Sequence, residues 1–318
     1  MGPATGTAVS AAKEYADAND VIIISYSSTS PLLSIEGDNV FRLVPDDTHQ
    51  GKIVAERMIS DGIKVIVPIW RGDIYGNELY KSTKSYFEKL GGKVEEGINY
   101  KPHTGKFATS LHRINFIMWN QELEKLNAVV SDAVKKYGAN SVGVYAISFD
   151  EITPILIQST LYEDLGKVRW YGSDKIAQNH HITKNIDSAS FAMKTNFSNP
   201  LYSIDSESKK SHDLKEVLEK QLHEVSSITY PALAYDSYWI ASLSLDKNST
   251  LNHDSNENLT KSFKEILVET AESFDGISGK IKLNEAGDRI GGNYDFWIVA
   301  KDNDTQSYEW EKEQHILE

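Results

Sequence analysis

The chain has 318 residues, 40% of them hydrophobic and 25% charged, with a formal net charge of −13 at neutral pH and no cysteine. That length exceeds one ordinary core and predicts two domains or lobes of a globular protein, not a disordered or fibrous one. The acidic balance argues against nucleic acid or an anionic membrane surface as a partner, and the lack of cysteine removes disulfides, thiolate metal sites and cysteine nucleophiles. No stretch approaches the ~20 apolar residues of a membrane span, and no basic, apolar leader stands at the start.

Taken in order, residues 7–18 have helical spacing and lead into "VIII" at 21–24. Four apolar β-branched residues in a row predict a strand buried on both faces, as in parallel sheets. The strand breaks at once into Ser25, Ser27, Ser28, Thr29 and Ser30, closed by Pro31. A helix over 48–60 precedes a strand over 63–70. A second helix over 76–90 is closed by Gly91 and Gly92, the expected C-terminal chemistry. Further helices are predicted over 121–137 and 150–165, flanking a strand over 141–148. Strands are predicted over 168–174 and 190–197, and helices over 210–224, 231–246 and 259–273. Residues 247–258 read as a solvated loop, 279–292 as a hairpin and 294–300 as a last strand. Strands alternating with helices of this length predict parallel sheets and the α/β class.

Several stretches carry candidate chemistry. In "GPATG", a turn running into a helix leaves amide groups at residues 5–8 that Thr5 or Thr7 can cap and that can hold a carboxylate or phosphate; taken alone, an ordinary capped helix is the favoured account. In "WRGDIYGNEL", Tyr75 follows the end of a strand, either at a ligand site or packed on its own lobe. Asp174, a lone acid beyond "VRWYGS", suits a ligand ammonium or a helix N-cap. The His180–His181 doublet points its imidazoles apart and reads as surface loop. "LNEAGDRIGG" lacks the residue order of a calcium loop, so a hairpin turn is favoured. The sequons at Asn196, Asn248, Asn258 and Asn303 are those expected by chance. No nucleophile elbow, phosphate loop, zinc-protease or dinucleotide motif is present. An enzyme, such as a hydrolase built on Asp174 or His180, lacks a supporting constellation.

Together, "GPATG", "ISYSSTSP", "NVFRLVPDDTHQG", "WRGDIYGNEL", "EKLGGKVEEGINY" and "FDGISGKIKLNEAGDRIGGNYDFW" resemble the type I periplasmic binding proteins of the branched-chain amino acid receptor type, which feed ABC importers. The resemblance spans nearly the whole chain. It implies two α/β lobes, each a mostly parallel sheet flanked by helices, joined by three crossovers around a ligand cleft. It places one lobe at 1–45 with 196–288 and the other at 46–195 with 289–318. It implies that Ser27 and Thr29 meet a ligand ammonium with Ser28 beside them, that Asp174 pairs with it, that Tyr75 closes the site from the opposite lobe, and that Phe149 and Tyr230 are aromatic walls. Residues Thr5, Gly6 and Thr7 would take the α-carboxylate through backbone amides. Gly6 stands where the branched-chain receptors carry a serine, so one hydroxyl donor is lost, a difference of about 1.5–3 kcal/mol for a bond to a charged group. Ser148, Phe149 and Asp174 also depart from a strict branched-chain site. Family members carry a β-α-β-α-β block before the "GP" turn, so the first lobe is expected to lack part of its sheet. The resemblance implies an extracytoplasmic, non-enzymatic receptor for an amino acid or amide, with a membrane permease as partner and no cofactor. A sensory domain of the same fold is the second reading, and a sugar-responsive regulator, without a helix-turn-helix, ranks below both.

Overall fold

The computed structural model describes residues 1–102, 112–222, 225–253 and 262–316. The chain divides into two compact units, the first made of Met1–Asp46 and Tyr202–Asn293, the second of Asp47–Leu201 and Tyr294–Leu317. No described helix is long and apolar enough to cross a membrane.

The first unit opens with helix α1 (Gly6–Ala18), started by Thr5, whose hydroxyl accepts the Ala8 amide. Two short parallel strands follow, β1 (Ile23–Ser25) and β2 (Val40–Arg42), with Ile23 opposite Val40. Val9, Ala16, Ile23, Leu33 and Val40 form a small core between them.

At Asp47 the chain enters the second unit with α2 (Asp47–Ser60), β3 (Val65–Arg71), α3 (Ile74–Lys89), β4 (Lys93–Val94) and β5 (Ile98–Tyr100). Helix α4 (His112–Tyr137), β6 (Val142–Ile147), α5 (Ile152–Ser159), β7 (Arg169–Tyr171), α6 (His180–Lys184), α7 (Ile186–Lys194) and β8 (Asn199–Tyr202) complete that passage. Back in the first unit come α8 (Lys209–Leu222), α9 (Thr229–His253) and α10 (Phe263–Ser273), before β9 (Tyr294–Lys301) and β10 (Tyr308–Ile316) close the second.

The second unit's main sheet runs β4-β3-β6-β7, all parallel, with β5 joining the C-terminal half of β3. Side chains alternate across it, as the pleat requires. Val65, Val67, Ile69, Val142, Val144 and Ala146 pack with α4 and α5 in one core. From the other face, Tyr145 meets the Thr83 hydroxyl of α3, and Trp70 stacks on Tyr80. A parallel bridge from Tyr171 to Ser198 continues into the sheet β10-β9-β8. Four charges close a ring there. Arg57 donates to Asp61 at 2.8 Å and Glu313 at 2.7 Å, while Arg169 meets the same carboxylates at 3.2 and 3.1 Å.

Several expectations need correction. Residues 190–194 belong to helix α7, not to a strand: the Asn185 side chain accepts the Asp187 and Ser188 amides and starts the helix. Phe191 and Phe197 there both edge onto Trp170, an aromatic enrichment that mimics a strand. The predicted solvated loop is helical through His253, with the Ser249 and Thr250 hydroxyls returning to the Asp246 carbonyl. Its remainder, 254–258, lies outside the described residues, as do 223–224 and 259–261 of the neighbouring helix predictions. The helix expected over 150–165 stops at Ser159, where the Thr160 hydroxyl takes the Ile157 carbonyl. His180 and His181 start α6 with ring centroids 4.0 Å apart, so the doublet is neither loop nor splayed. The hairpin at 279–292 is short: Leu283 bridges Arg289, the Asn284 side chain accepts the Ala286 and Asp288 amides, and Gly287 turns at φ +75° against Phe41.

Two measurements follow from the second unit's chemistry. Glu313→Ala leaves Arg57 and Arg169 each short of one carboxylate; for a half-buried network this should cost about 1–3 kcal/mol in urea unfolding and speed amide exchange in β10. Burial holds the Tyr75, Tyr100, Tyr145 and Tyr171 phenols above their ordinary value of 10.0. Folded protein therefore keeps protons that the unfolded chain releases, so stability is complete below pH 10 and falls as pH rises beyond it. Alkaline titration of tyrosinate absorbance should show these groups ionising together with unfolding.

Candidate functional site

In the second unit three parallel strands end side by side, β3 at Arg71, β6 at Ile147 and β7 at Tyr171. Asp73 caps α3 by accepting the Gly76 amide at 3.0 Å. A side chain at Gly76 would collide with the Arg71 carbonyl, so only glycine lets the first turn of α3 lie against the strand end. That approach buries Tyr75, which is 4% exposed. Its hydroxyl donates to Asp174 Oδ1 at 2.6 Å, and its ring lies 5.2 Å from that of half-buried Phe149. Burial first, then the Asp174 and Asp47 charges, push the Tyr75 phenol well above its ordinary range, so it remains a donor at neutral pH.

Asp174 is 3% exposed and caps no helix. It is not lone either: Lys175 Nζ stands 3.1 Å from Oδ2. Its backbone amide donates to Gln50 at 2.9 Å, and the Gln50 side-chain amide donates to Asp47 at 3.1 Å. Beside it, the Arg71 guanidinium lies 3.6 Å from the Phe149 ring centroid while donating to Asp73 and to both Glu151 oxygens. Glu151 in turn accepts the Phe149 amide at 3.1 Å, and the Tyr100 hydroxyl donates to Ser148 at 2.8 Å.

In the first unit the hydroxyl run leaves the carboxyl end of β1. The Ser25 hydroxyl donates to the Pro3 carbonyl at 2.8 Å and accepts the Ser28 amide at 3.2 Å, tying the run to the "GPATG" turn. Ser27, Ser28, Thr29 and Ser30 are all buried. Among the described residues, the hydroxyls of Ser28, Thr29 and Ser30 have no hydrogen-bond partner. Thr5 is spent on capping, and Gly6 and Thr7 form the first turn of α1. Tyr230 stands half-buried at the start of α9, a helix that packs on β1.

The structure thus gathers Tyr75, Phe149 and Asp174 into one cluster of the second unit. It gathers Thr5, Gly6, Thr7 and the hydroxyl run around the end of β1 in the first. Sequence reasoning missed Arg71, Glu151, Gln50, Lys175 and Ser30. A charge closing an otherwise apolar strand, as in "VIVPIWR", is the signal that could have found Arg71. Among the described residues no group of three or more histidines and acids is arranged to hold a metal ion.

Residues 1–302 match the family described as the receptor family ligand binding region. An uncharacterized protein of Methanocaldococcus jannaschii is 27% identical over 315 residues, covering 95% of this chain and 70% of its own. Among solved structures, leucine binding protein LivK of Thermotoga maritima superposes with TM-score 0.67 at 19% identity, covering 99% of this chain and 78% of its own. A solute binding protein of an ABC transporter from Rhodopseudomonas palustris, in complex with 3,4-dihydroxybenzoic acid, gives TM-score 0.69 at 15% identity over 98% and 76%. These structural likenesses establish the fold, an α/β architecture of mostly parallel sheets flanked by helices as in type I periplasmic binding proteins. With the family match running over 1–302, the chain belongs to the receptor family ligand binding region family.

Proposed function

We propose that the chain is a non-enzymatic, extracytoplasmic receptor that captures a small zwitterionic solute, an amino acid, and presents it to the membrane permease of an ABC importer. The observation that carries this reading is the Tyr75–Asp174–Phe149 cluster at the carboxyl ends of parallel strands, where open α/β sheets take ligands. Asp174 supplies a carboxylate whose orientation is held by the Tyr75 hydroxyl, and Phe149 supplies an apolar face. The amides of Gly6 and Thr7 and the hydroxyls of Ser27, Ser28 and Thr29 suit the ligand's polar end, with Tyr230 as a further aromatic wall. The LivK name and the dihydroxybenzoate complex support a small-solute class without choosing its member.

A second reading is favoured by Lys175. Because it already compensates Asp174, an incoming ammonium competes with it for the carboxylate, whereas urea or a short amide does not. A sensory domain would use the same residues for the same ligand and differ only in its output.

Calorimetry and thermal shift of the purified protein against leucine, the other amino acids, urea and acetamide separate these readings. The expected result is stabilisation by at least one amino acid; no stabilisation by any member of the panel would overturn the receptor assignment. Asp174→Asn should weaken an amine-bearing ligand at least tenfold with circular dichroism unchanged, yet spare a neutral amide. Tyr75→Phe, which deletes one donor to a charged acceptor, should weaken the same amine about tenfold, the equivalent of ~1.4 kcal/mol.

A further inference from the structure

The three unpartnered hydroxyls of the first unit pose a physical problem. Serine and threonine next to free carbonyls normally satisfy themselves locally, and a buried hydroxyl without a partner is unfavourable. Ser28, Thr29 and Ser30 are 1%, 4% and 1% exposed, and their side-chain oxygens have no partner among the described residues. Something must keep the nearby acceptors occupied.

That group is Arg42, whose side chain is fully buried at the end of β2. Its Nη1 donates to the Ser30 carbonyl at 2.6 Å and reaches the Ser28 carbonyl at 3.4 Å. Nε and Nη2 form a two-pronged pair with Asp288 at 2.5 and 2.6 Å. Asp288 is itself fixed, since its amide donates to Asn284 and it bridges Arg42 through the backbone, with Arg42 N donating to Gly287 and Arg289 N donating to Arg42. Only a planar fork can hold a carboxylate on one side and two carbonyls on the other.

We propose that Arg42, anchored by Asp288, is the positioning residue of the 25–30 loop. It occupies the Ser28 and Ser30 carbonyls of that loop, so the hydroxyls of Ser28, Thr29 and Ser30 stay uncommitted for a ligand. Ser30 thereby joins the binding set. The inference rests on the solute-receptor reading for its ligand, but the loop geometry can be tested apart from it.

The decisive variant is Arg42→Met combined with Asp288→Leu. Replacing both members of a buried pair by apolar groups of similar volume is often neutral for stability, whereas removing one leaves a lone buried charge. Hydrogen exchange of the segment 25–33 and calorimetry with leucine as probe are read together, with the melting temperature as control. The expected result is a melting temperature near that of the parent, loop exchange at least tenfold faster than the parent, and leucine affinity reduced at least tenfold. Loop exchange unchanged in a folded double variant overturns the proposal, because a merely structural pair would move global stability and not this loop alone. Should the double variant fail to fold, Arg42→Lys gives the same reading, as the three donors of an ammonium cannot replace the two-pronged pair with Asp288 and both carbonyl contacts together. A parent protein that binds no amino acid, urea or acetamide overturns the receptor reading, and the exchange measurement then decides the positioning role by itself.

Discussion

Asp174 is a carboxylate taken out of water at the mouth of a parallel sheet, and the second unit's strand-end region is arranged around that fact. An ionised carboxylate buried without compensation loses several kcal/mol of hydration. Here the compensation comes from two directions, the Tyr75 hydroxyl from α3 and the Lys175 ammonium next in sequence, while the Gln50 side chain accepts the Asp174 backbone amide and holds the turn that carries it. Two of these contacts each fix an element. Tyr75 requires the close approach at Gly76, and Gln50 locks the first turn of α2. A short strand end thus becomes a rigid, charged surface.

The two units solve the burial of polar groups in opposite ways. The second partners its polar residues closely: Arg71 serves Asp73, Glu151 and the face of Phe149 at once. The first leaves three hydroxyls in its β1 loop without a partner among the described residues and ties up the Ser28 and Ser30 carbonyls beside them. A closed network supplies preorganisation, and uncommitted donors supply affinity, since an ordered ligand replaces no existing bond there. Buried aspartates recur as anchors in both units, of a loop in the first and of a strand pair in the second. Asp236 accepts the Ile277 and Ser278 amides, and Asp295 meets Lys312 and His315.

Charge placement also accounts for the edges. Strand β10 alternates exposed charges along the border of its sheet, which discourages pairing with another chain. Its Glu313 closes the ring with Arg57, Asp61 and Arg169, so the same residue type that blocks edge pairing also fastens the strand to α2 and β7.

The amino-acid order alone determined the α/β class, the β-branched strands, the capped start of α1, the glycine-closed end of α3 and the placement of polar residues at strand ends. These depend on interactions within about ten residues, where periodicity and capping act directly. It also marked Tyr75 and Asp174, because each follows an apolar run, while Phe149 came from the family resemblance. What it left open was partnership. Nothing near Asp174 in sequence announces Gln50, 124 positions away, and nothing near Arg42 announces Asp288, 246 positions away. The strand reading of 190–197 failed for the same reason, since Phe191 and Phe197 are apolar on account of Trp170 across the core, not of a pleat. Local chemistry chose the elements, and only the tertiary structure decided which charges would be buried together, because that depends on which distant donors the fold brings to each carboxylate.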